Sequence, residues 1–393
     1  MAYSFTLPRL LELTEHQQVA LNTVGTLVLK GGPGTGKSVV SLWRHLENHR
    51  LGKKSLLLTF TLNLEYYLKA ALRSIEQRDP RYQDVQASAY VSRTKKFFHS
   101  TLSRIDESEY PEYDEIIIDE AQDVSISPYY EEIVKCTKHV SYGADNNQAI
   151  QTEGSSVEDL ENFFTNVDET VTLFKNFRTS KEIISFTDAI LPNVVIPKSM
   201  RDTAVNTGIN VRAINLDIWG NDHREIADWI ENILQFLYHK DVDGNYLRPG
   251  DKADELMPSS DNVGVLMSGA KHVKSLYDIL EHRLTDCSKY VSQGVHSHLD
   301  EISNIHITTF KSSKGLEFDT VIIPYFSHLD YFNSLNNPIV SEKDFFVALT
   351  RAKQNLFLIN TDGNQFINRH PVRYENYEWF DVNRLGVDED EDY

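Results

Sequence analysis

Short, uninterrupted apolar runs recur along the chain, and each is followed by a stretch with helical spacing. Thr26 to Lys30 is such a run; it enters a glycine-rich turn, after which Lys37 to His49 repeats its apolar residues at helical intervals. Ser55 to Thr61 reads as a second strand, followed by a helix at Asn63 to Ile75, and Glu115 to Ile118 and Val140 to Gly143 read as two more strands. Continuous rather than alternating apolar strands, separated by helices, are the pattern of a parallel sheet covered on both faces. The pattern restarts after about residue 176, with a strand at Asn262 to Met267, a helix at Lys271 to Glu281, and strands at Ile305 to Thr309, Thr320 to Pro324 and Leu356 to Ile359. The expected fold is α/β, with two lobes of mainly parallel sheet over residues 1–175 and 176–370 and a C-terminal extension over 371–393. Asp241 to Asp261, rich in Gly, Pro and Asp, reads as a surface loop, and the acidic Val387 to Tyr393 as a solvated tail.

Composition narrows the function classes. The 393 residues suffice for two lobes with substantial cores. There are 39 basic and 58 acidic side chains, a formal charge of −19. A protein that coats duplex DNA through bulk charge leans the other way, so any nucleic-acid contact must be a local groove on an acidic body. The two cysteines, Cys136 and Cys287, form no CxxC pair, which excludes a disulfide scaffold and a cysteine-rich zinc site. No apolar run approaches the ~20 residues of a membrane span. No membrane partner is expected, and the cytoplasm is the expected compartment.

The chemistry begins at the first glycine-rich turn. Gly31-Gly32-Pro33-Gly34-Thr35-Gly36-Lys37-Ser38 fits G-x-x-x-x-G-K-[ST] between an expected strand and an expected helix. Glycines let the backbone curl so that N–H groups point at phosphates, and the helix that follows adds its positive end. Lys37 is placed to neutralise the β- and γ-phosphates of ATP, and Ser38 to ligate Mg²⁺. In Glu115 to Asp123, three consecutive isoleucines drive a buried strand whose end presents Asp119 and Glu120 at the sheet edge where α/β ligands bind. Asp119 suits the Mg²⁺ shell, and Glu120 suits a general base acting on water. The two lobes are thus expected to be RecA-like P-loop NTPase lobes.

With those motifs in place, the chain resembles a superfamily 1 helicase of the UvrD/Rep type, in order along most of its length. Leu13 to Gln17 resembles the adenine-reading Q motif, with Gln17 on the base, and Thr59-Phe60-Thr61 resembles motif Ia. There the resemblance implies that Phe60 abuts single-stranded DNA, with Thr61 and Asn63 beside it. Asp119 to Asp123 matches motif II. Gly143 to Ile150 resembles motif III, with Gln148 as γ-phosphate sensor. Asn176-Phe177-Arg178 resembles motif IV, with Phe177 stacked on adenine and Arg178 on the γ-phosphate. Thr308 to Asp319 is similar to motif V, which implies nucleic-acid contacts at Thr309 and Lys311 and nucleotide contacts at Gly315 and Glu317. Val347 to Lys353 is similar to motif VI, with Arg351 as an arginine finger.

The resemblance implies an ATP- and Mg²⁺-dependent translocase on single-stranded nucleic acid, DNA rather than RNA, moving 3′ to 5′. The sequence departs from that family in three places. Neither the gap from motif Ia to motif II nor the one from Glu281 to Ile305 can hold the usual inserted subdomains, so a stripped two-lobe core is expected. The aromatic-Arg-Gly string after motif III is replaced by Gln151-Thr152-Glu153-Gly154, and Lys311 stands where His is usual. Val91 to Phe98 interleaves Arg93, Lys95 and Lys96 with Phe97 and Phe98, which fits single-strand binding and an amphipathic core helix equally well. A second reading stays open: a nucleic-acid-stimulated ATPase switch regulating a protein partner such as a nuclease.

Overall fold

The computed structural model describes residues 3, 7–102, 111–145, 154–191, 193–216, 223–238, 262–284, 287–291, 302–326, 341–360 and 377–379. Gln148, the Gln151–Gly154 string up to residue 153, the whole of the expected 241–261 loop, and the acidic tail lie outside the described residues.

The first sheet contains β1 (Leu27–Lys30), β2 (Ser55–Thr59), β3 (Val91–Arg93), β4 (Tyr113–Ile118), β5 (Thr137–Ala144) and β6 (Glu169–Thr172), in the order β3-β2-β4-β5-β1-β6. Its helices are α1 (Glu15–Asn22), α2 (Lys37–Arg50), α3 (Leu62–Arg78), α4 (Thr94–Ser100), the single turn α5 (Glu131–Ile133) and α6 (Val157–Phe163). Next come α7 (Lys181–Ile190) and α8 (Lys198–Thr203). A second sheet, ordered β13-β7-β12-β11-β8-β10-β9, follows. It is built from β7 (Val211–Asn215), β8 (Val263–Met267), β9 (Cys287–Tyr290), β10 (Ile305–Thr309), β11 (Phe318–Ile323), β12 (Ala352–Asn360) and β13 (Tyr377–Trp379). Its helices are α9 (His223–Tyr238), α10 (Ala270–Leu280) and α11 (Glu342–Leu349). Every strand pairing among the described residues is parallel. These are two RecA-like lobes.

Alternation along each strand sends successive side chains to opposite faces. Leu57 and Ile117 of the first sheet share one continuous apolar cluster with Val321, Ile323, Leu356 and Leu358 of the second. The intervening Leu56, Leu58, Ile116 and Ile118 enter a cluster on the other face of the first sheet. Ile322, Phe357 and Ile359 do the same for the second. The continuous strands are therefore buried on both faces, and one of the cores runs between the lobes. Tyr3 sits in that shared core, edge-on to Tyr67 of α3 and Phe318 of β11.

Two local readings are corrected. The second strand stops at Thr59, not Thr61, because the Thr61 hydroxyl accepts from the Leu64 amide and caps α3, which favours a helix start. Val91 to Phe98 is neither wholly helix nor an open surface. It forms β3 and then α4, with Phe97 buried and Arg93 turned onto the buried Glu65 carboxylate at 3.0 Å. No described helix is long and apolar enough to cross a membrane.

Gly264 makes one packing demand explicit. A Cβ there would lie 2.6–2.8 Å from the Phe318 ring, inside a fully buried strand pairing. Gly264→Ala is expected to destabilise the protein by about 1–3 kcal/mol through overpacking. Urea or thermal unfolding checks this, and an unchanged midpoint would remove the close-packing explanation.

Candidate nucleotide site and nucleic-acid edge

The turn after β1 and the ends of β4 and β5 converge on one edge of the first sheet. A parallel sheet presents its strand ends there together. Gly34 (φ 72°) and Gly36 (φ 89°) hold the turn in the left-handed region. A Cβ at Gly34 would meet the Asn176 side-chain oxygen at 2.6 Å, and one at Gly36 would run into the Gln17 amide. Close approach and backbone conformation both demand glycine here. The loop is followed directly by α2, whose first residues are Lys37 and Ser38.

Lys37 is 5% exposed, and its ammonium folds back to donate to the Gly31 carbonyl at 2.7 Å and the Gly32 carbonyl at 3.1 Å. The Ser38 hydroxyl donates to Asp119 Oδ2 at 2.6 Å. Asp119 is buried, and its Oδ1 has no hydrogen-bond partner among the described residues. Burial and the adjacent Glu120 charge push the Asp119 carboxyl upward. Glu120 behaves oppositely: burial alone would raise it, but the Lys314 and Lys37 ammonium groups outweigh burial and hold it low. Its backbone is left-handed at φ 59°, and Gln122 Nε2 donates to its carboxylate at 2.6 Å.

The second lobe closes the site. Arg178 Nε contacts Glu317 at 3.2 Å, and Glu317 also takes Lys353 at 3.0 Å. Arg351 is 1% exposed; its Nε donates to the Val347 carbonyl at 3.0 Å and its Nη1 to the Leu316 carbonyl at 3.2 Å. Burial, then the nearby Arg178 charge, disfavours its protonated form. Lys37, Ser38, Glu120, Phe177, Arg178 and Arg351 line one cleft of about 620 Å³, together with Gln17, Gly315, Glu317 and the turn residues 33–36. Phe177 is 48% exposed, and its amide donates to the Gly34 carbonyl at 2.9 Å, which places the ring at the rim.

Gln17 lines the cleft beside the turn. Its Nε2 donates to the Thr35 carbonyl at 3.1 Å and its Oε1 accepts from the Thr14 amide at 2.9 Å. Both ends of the carboxamide are engaged, so it braces the turn and caps α1.

The structure also brings in Lys314, a residue not assigned a role from sequence. Fully buried, it reaches from the turn after β10 to Asp123 at 2.7 Å and Glu120 at 3.4 Å in the other lobe. The signal was present, since Lys314 lies inside the Ser313–Phe318 string of motif V, but its reach across the lobes depends on tertiary structure.

Along the same edge, Asn63 differs from expectation. It is fully buried, and its side-chain amide donates to the Ser312 carbonyl at 2.6 Å, so it joins the lobes and does not face solvent. The Thr61 hydroxyl likewise donates to the Lys314 carbonyl at 3.2 Å. Phe60 is partly buried, with Lys95 Nζ 6.0 Å from its ring centre. Thr309 is partly buried and pairs with Ser312 Oγ at 3.0 Å, while Lys311 is half exposed, 3.9 Å from Asp344.

Two RecA-like lobes that share a P-loop, paired acids and two arginines in one cleft define a helicase-type P-loop protein. Residues 25–217 match the Schlafen group 3 DNA/RNA helicase domain, and residues 252–363 match the UvrD-like helicase C-terminal domain. A probable DNA helicase from Mycoplasma pneumoniae is 25% identical over 266 residues, covering 64% of this chain and 44% of that protein. The RecBCD enzyme subunit RecB of Chlamydia pneumoniae is 21% identical over 202 residues, covering 47% of this chain and 19% of that one. The chain thus spans less than half the length of these relatives. Among solved structures, an arterivirus nonstructural protein 10 helicase aligns over 91% of this chain and 64% of its own, at 13% identity and a TM-score of 0.39. A PRRSV helicase aligns over 91% and 56%, at 12% identity and a TM-score of 0.41. Both lobes thus match helicase-family domains.

Proposed function

We propose that this chain hydrolyses ATP in the cleft between its lobes and uses the cycle to move 3′ to 5′ on single-stranded DNA. Lys37 binds the β- and γ-phosphates, once it is released from the Gly31 and Gly32 carbonyls. The unmatched Asp119 oxygen beside the Ser38 hydroxyl fits a magnesium ion. These two residues would hold it, and the ion would supply charge neutralisation at the phosphate oxygens. Glu120, ionised and oriented by Gln122, takes the proton of the attacking water. Arg178 and Arg351 meet the γ-phosphate, Gln148 senses it, and Phe177 stacks on the adenine at the cleft rim. Phe60, Thr309 and Lys311 lie along the nucleic-acid edge. Residues 1–175 and 176–370 act as the two moving bodies.

The observation that carries this reading is the make-up of the cleft: Lys37 and Glu120 follow strands of the first sheet, Arg351 precedes β12 of the second, and Arg178 contacts Glu317 just before β11. Hydrolysis in such a cleft depends on lobe closure, the two-state element a motor needs. One relative is named as a subunit of a larger enzyme, which favours the second reading, an ATPase switch that controls a protein partner such as a nuclease.

Steady-state ATPase measured without polymer, then with single-stranded DNA, single-stranded RNA and duplex DNA at two salt concentrations, decides between them. Strong stimulation by single-stranded DNA, weakened by salt, is the expected result. A rate indifferent to every polymer would sink the translocase and leave the partner-controlled switch.

A further inference from the structure

Beyond its capping end at Thr61, α3 carries a second surface. Tyr66, Lys69, Arg73, Ser74, Gln77 and Arg78 line a hollow of about 550 Å³ that shares no lining residue with the nucleotide cleft. Positions three and four apart stack on one helical face, and the run from Tyr66 to Arg78 covers roughly 18 Å at the helical rise.

Its charge runs against that of the whole chain, which is −19. Lys69 lies 2.6 Å from the buried Glu65, which also takes Arg93 at 3.0 Å and Lys96 at 3.4 Å, so one carboxylate is shared by three cations. Glu76, the other acid of α3, is turned away and accepts from the Ser88 amide and hydroxyl at 2.9 and 2.7 Å. Arg73 and Arg78 are exposed and have no ion-pair partner among the described residues.

We infer that this face of α3 holds the phosphate backbone of the single strand as it runs off the Phe60 edge. The inference rests on the translocase reading above. Guanidinium groups present paired donors that match phosphate oxygens. A cationic groove with an aromatic ring such as Tyr66 beside it is the arrangement that tracks single strands without reading sequence. Arg73 and Arg78 then add two phosphate contacts outside the motor's own footprint.

The test uses the full chain and the double variant Arg73→Gln/Arg78→Gln. Binding of short and long oligothymidylates is followed by fluorescence anisotropy across a salt series, with ATPase measured alongside. At about 0.7 per phosphate contact on single strands, loss of two contacts lowers the log–log salt slope for the long oligonucleotide by about 1.4. Its affinity is expected to fall about tenfold at low salt. Binding of the short oligonucleotide and the maximal ATPase rate that it stimulates should match the parent. An unchanged slope and affinity for the long oligonucleotide overturns the inference and leaves the translocase reading standing. Equal losses at both lengths also overturn it, because the arginines would then act within the motor footprint. A parent protein that binds neither oligonucleotide overturns the translocase reading and this inference with it.

Discussion

Arg351→Ala is expected to slow ATP turnover by about 10³–10⁵-fold, or roughly 4–7 kcal/mol of barrier. The affinity for ATP should change far less. Arg351 is buried to 1% exposure and donates to the Val347 and Leu316 carbonyls. Burial and the adjacent Arg178 make its charge unfavourable. An anionic γ-phosphate between the lobes would relieve that cost, most of all as charge builds up in the transition state. Arg351→Lys keeps the charge but loses the paired donors, so it should recover only part of the rate. Turnover measured beside equilibrium ATP binding is the check. Equal losses in rate and affinity would deny Arg351 the finger role. Measuring the unfolding midpoint separates this from simple destabilisation, since the lost hydrogen bonds to the Val347 and Leu316 carbonyls are themselves expected to cost about 1 kcal/mol each.

Much of the fold was legible because its strands carry signals that need no partner to be read. Ile116-Ile117-Ile118 is a β-branched apolar run that favours a buried strand, and its parallel neighbour Leu56–Leu58 is as continuously apolar. Edge strands were not legible. β3, β6, β9 and β13 are three or four residues long and gain strand geometry from the ladder beside them, not from their own pattern. The nucleotide cleft was legible as motifs, since Gly34 and Gly36 satisfy a backbone requirement that any reader of φ preferences can name. What the residues do to one another across the lobes was not. Asn63 looks like a polar residue at a nucleic-acid edge until Ser312, far away in sequence, claims its amide. Nothing in the Gln17 string announces that its amide also braces the Thr35 carbonyl. Lys314 is an unremarkable lysine in a motif string until burial places it between two carboxylates of the other lobe. Polar partners chosen over long sequence separations leave no local trace.

Glu120→Gln isolates the chemical step, and the surrounding network explains why. The substitution removes one charge from the buried group formed by Glu120, Asp123 and Lys314. Lys314 keeps Asp123 at 2.7 Å, so no buried cation is stranded. Replacing Lys314 instead would leave two buried carboxylates without their shared partner and confuse lost folding with lost chemistry. The Gln122 amide, now 2.6 Å from the carboxylate, still finds an oxygen on the new side chain. Folding and ATP binding should therefore persist, while the proton acceptor for the attacking water is gone. Turnover is expected to fall by about 10²–10⁴-fold, the usual worth of a positioned general base. The closed, ATP-loaded state should accumulate as a result, and polymer that stimulates the parent should be held and not released. Single-turnover hydrolysis, with ATP binding and the unfolding midpoint measured on the same preparation, checks each part. Hydrolysis at the parent rate would take the base assignment away from Glu120. Loss of ATP binding would mean that its charge matters first for organising Lys37, whose ammonium group helps hold the Glu120 carboxyl low.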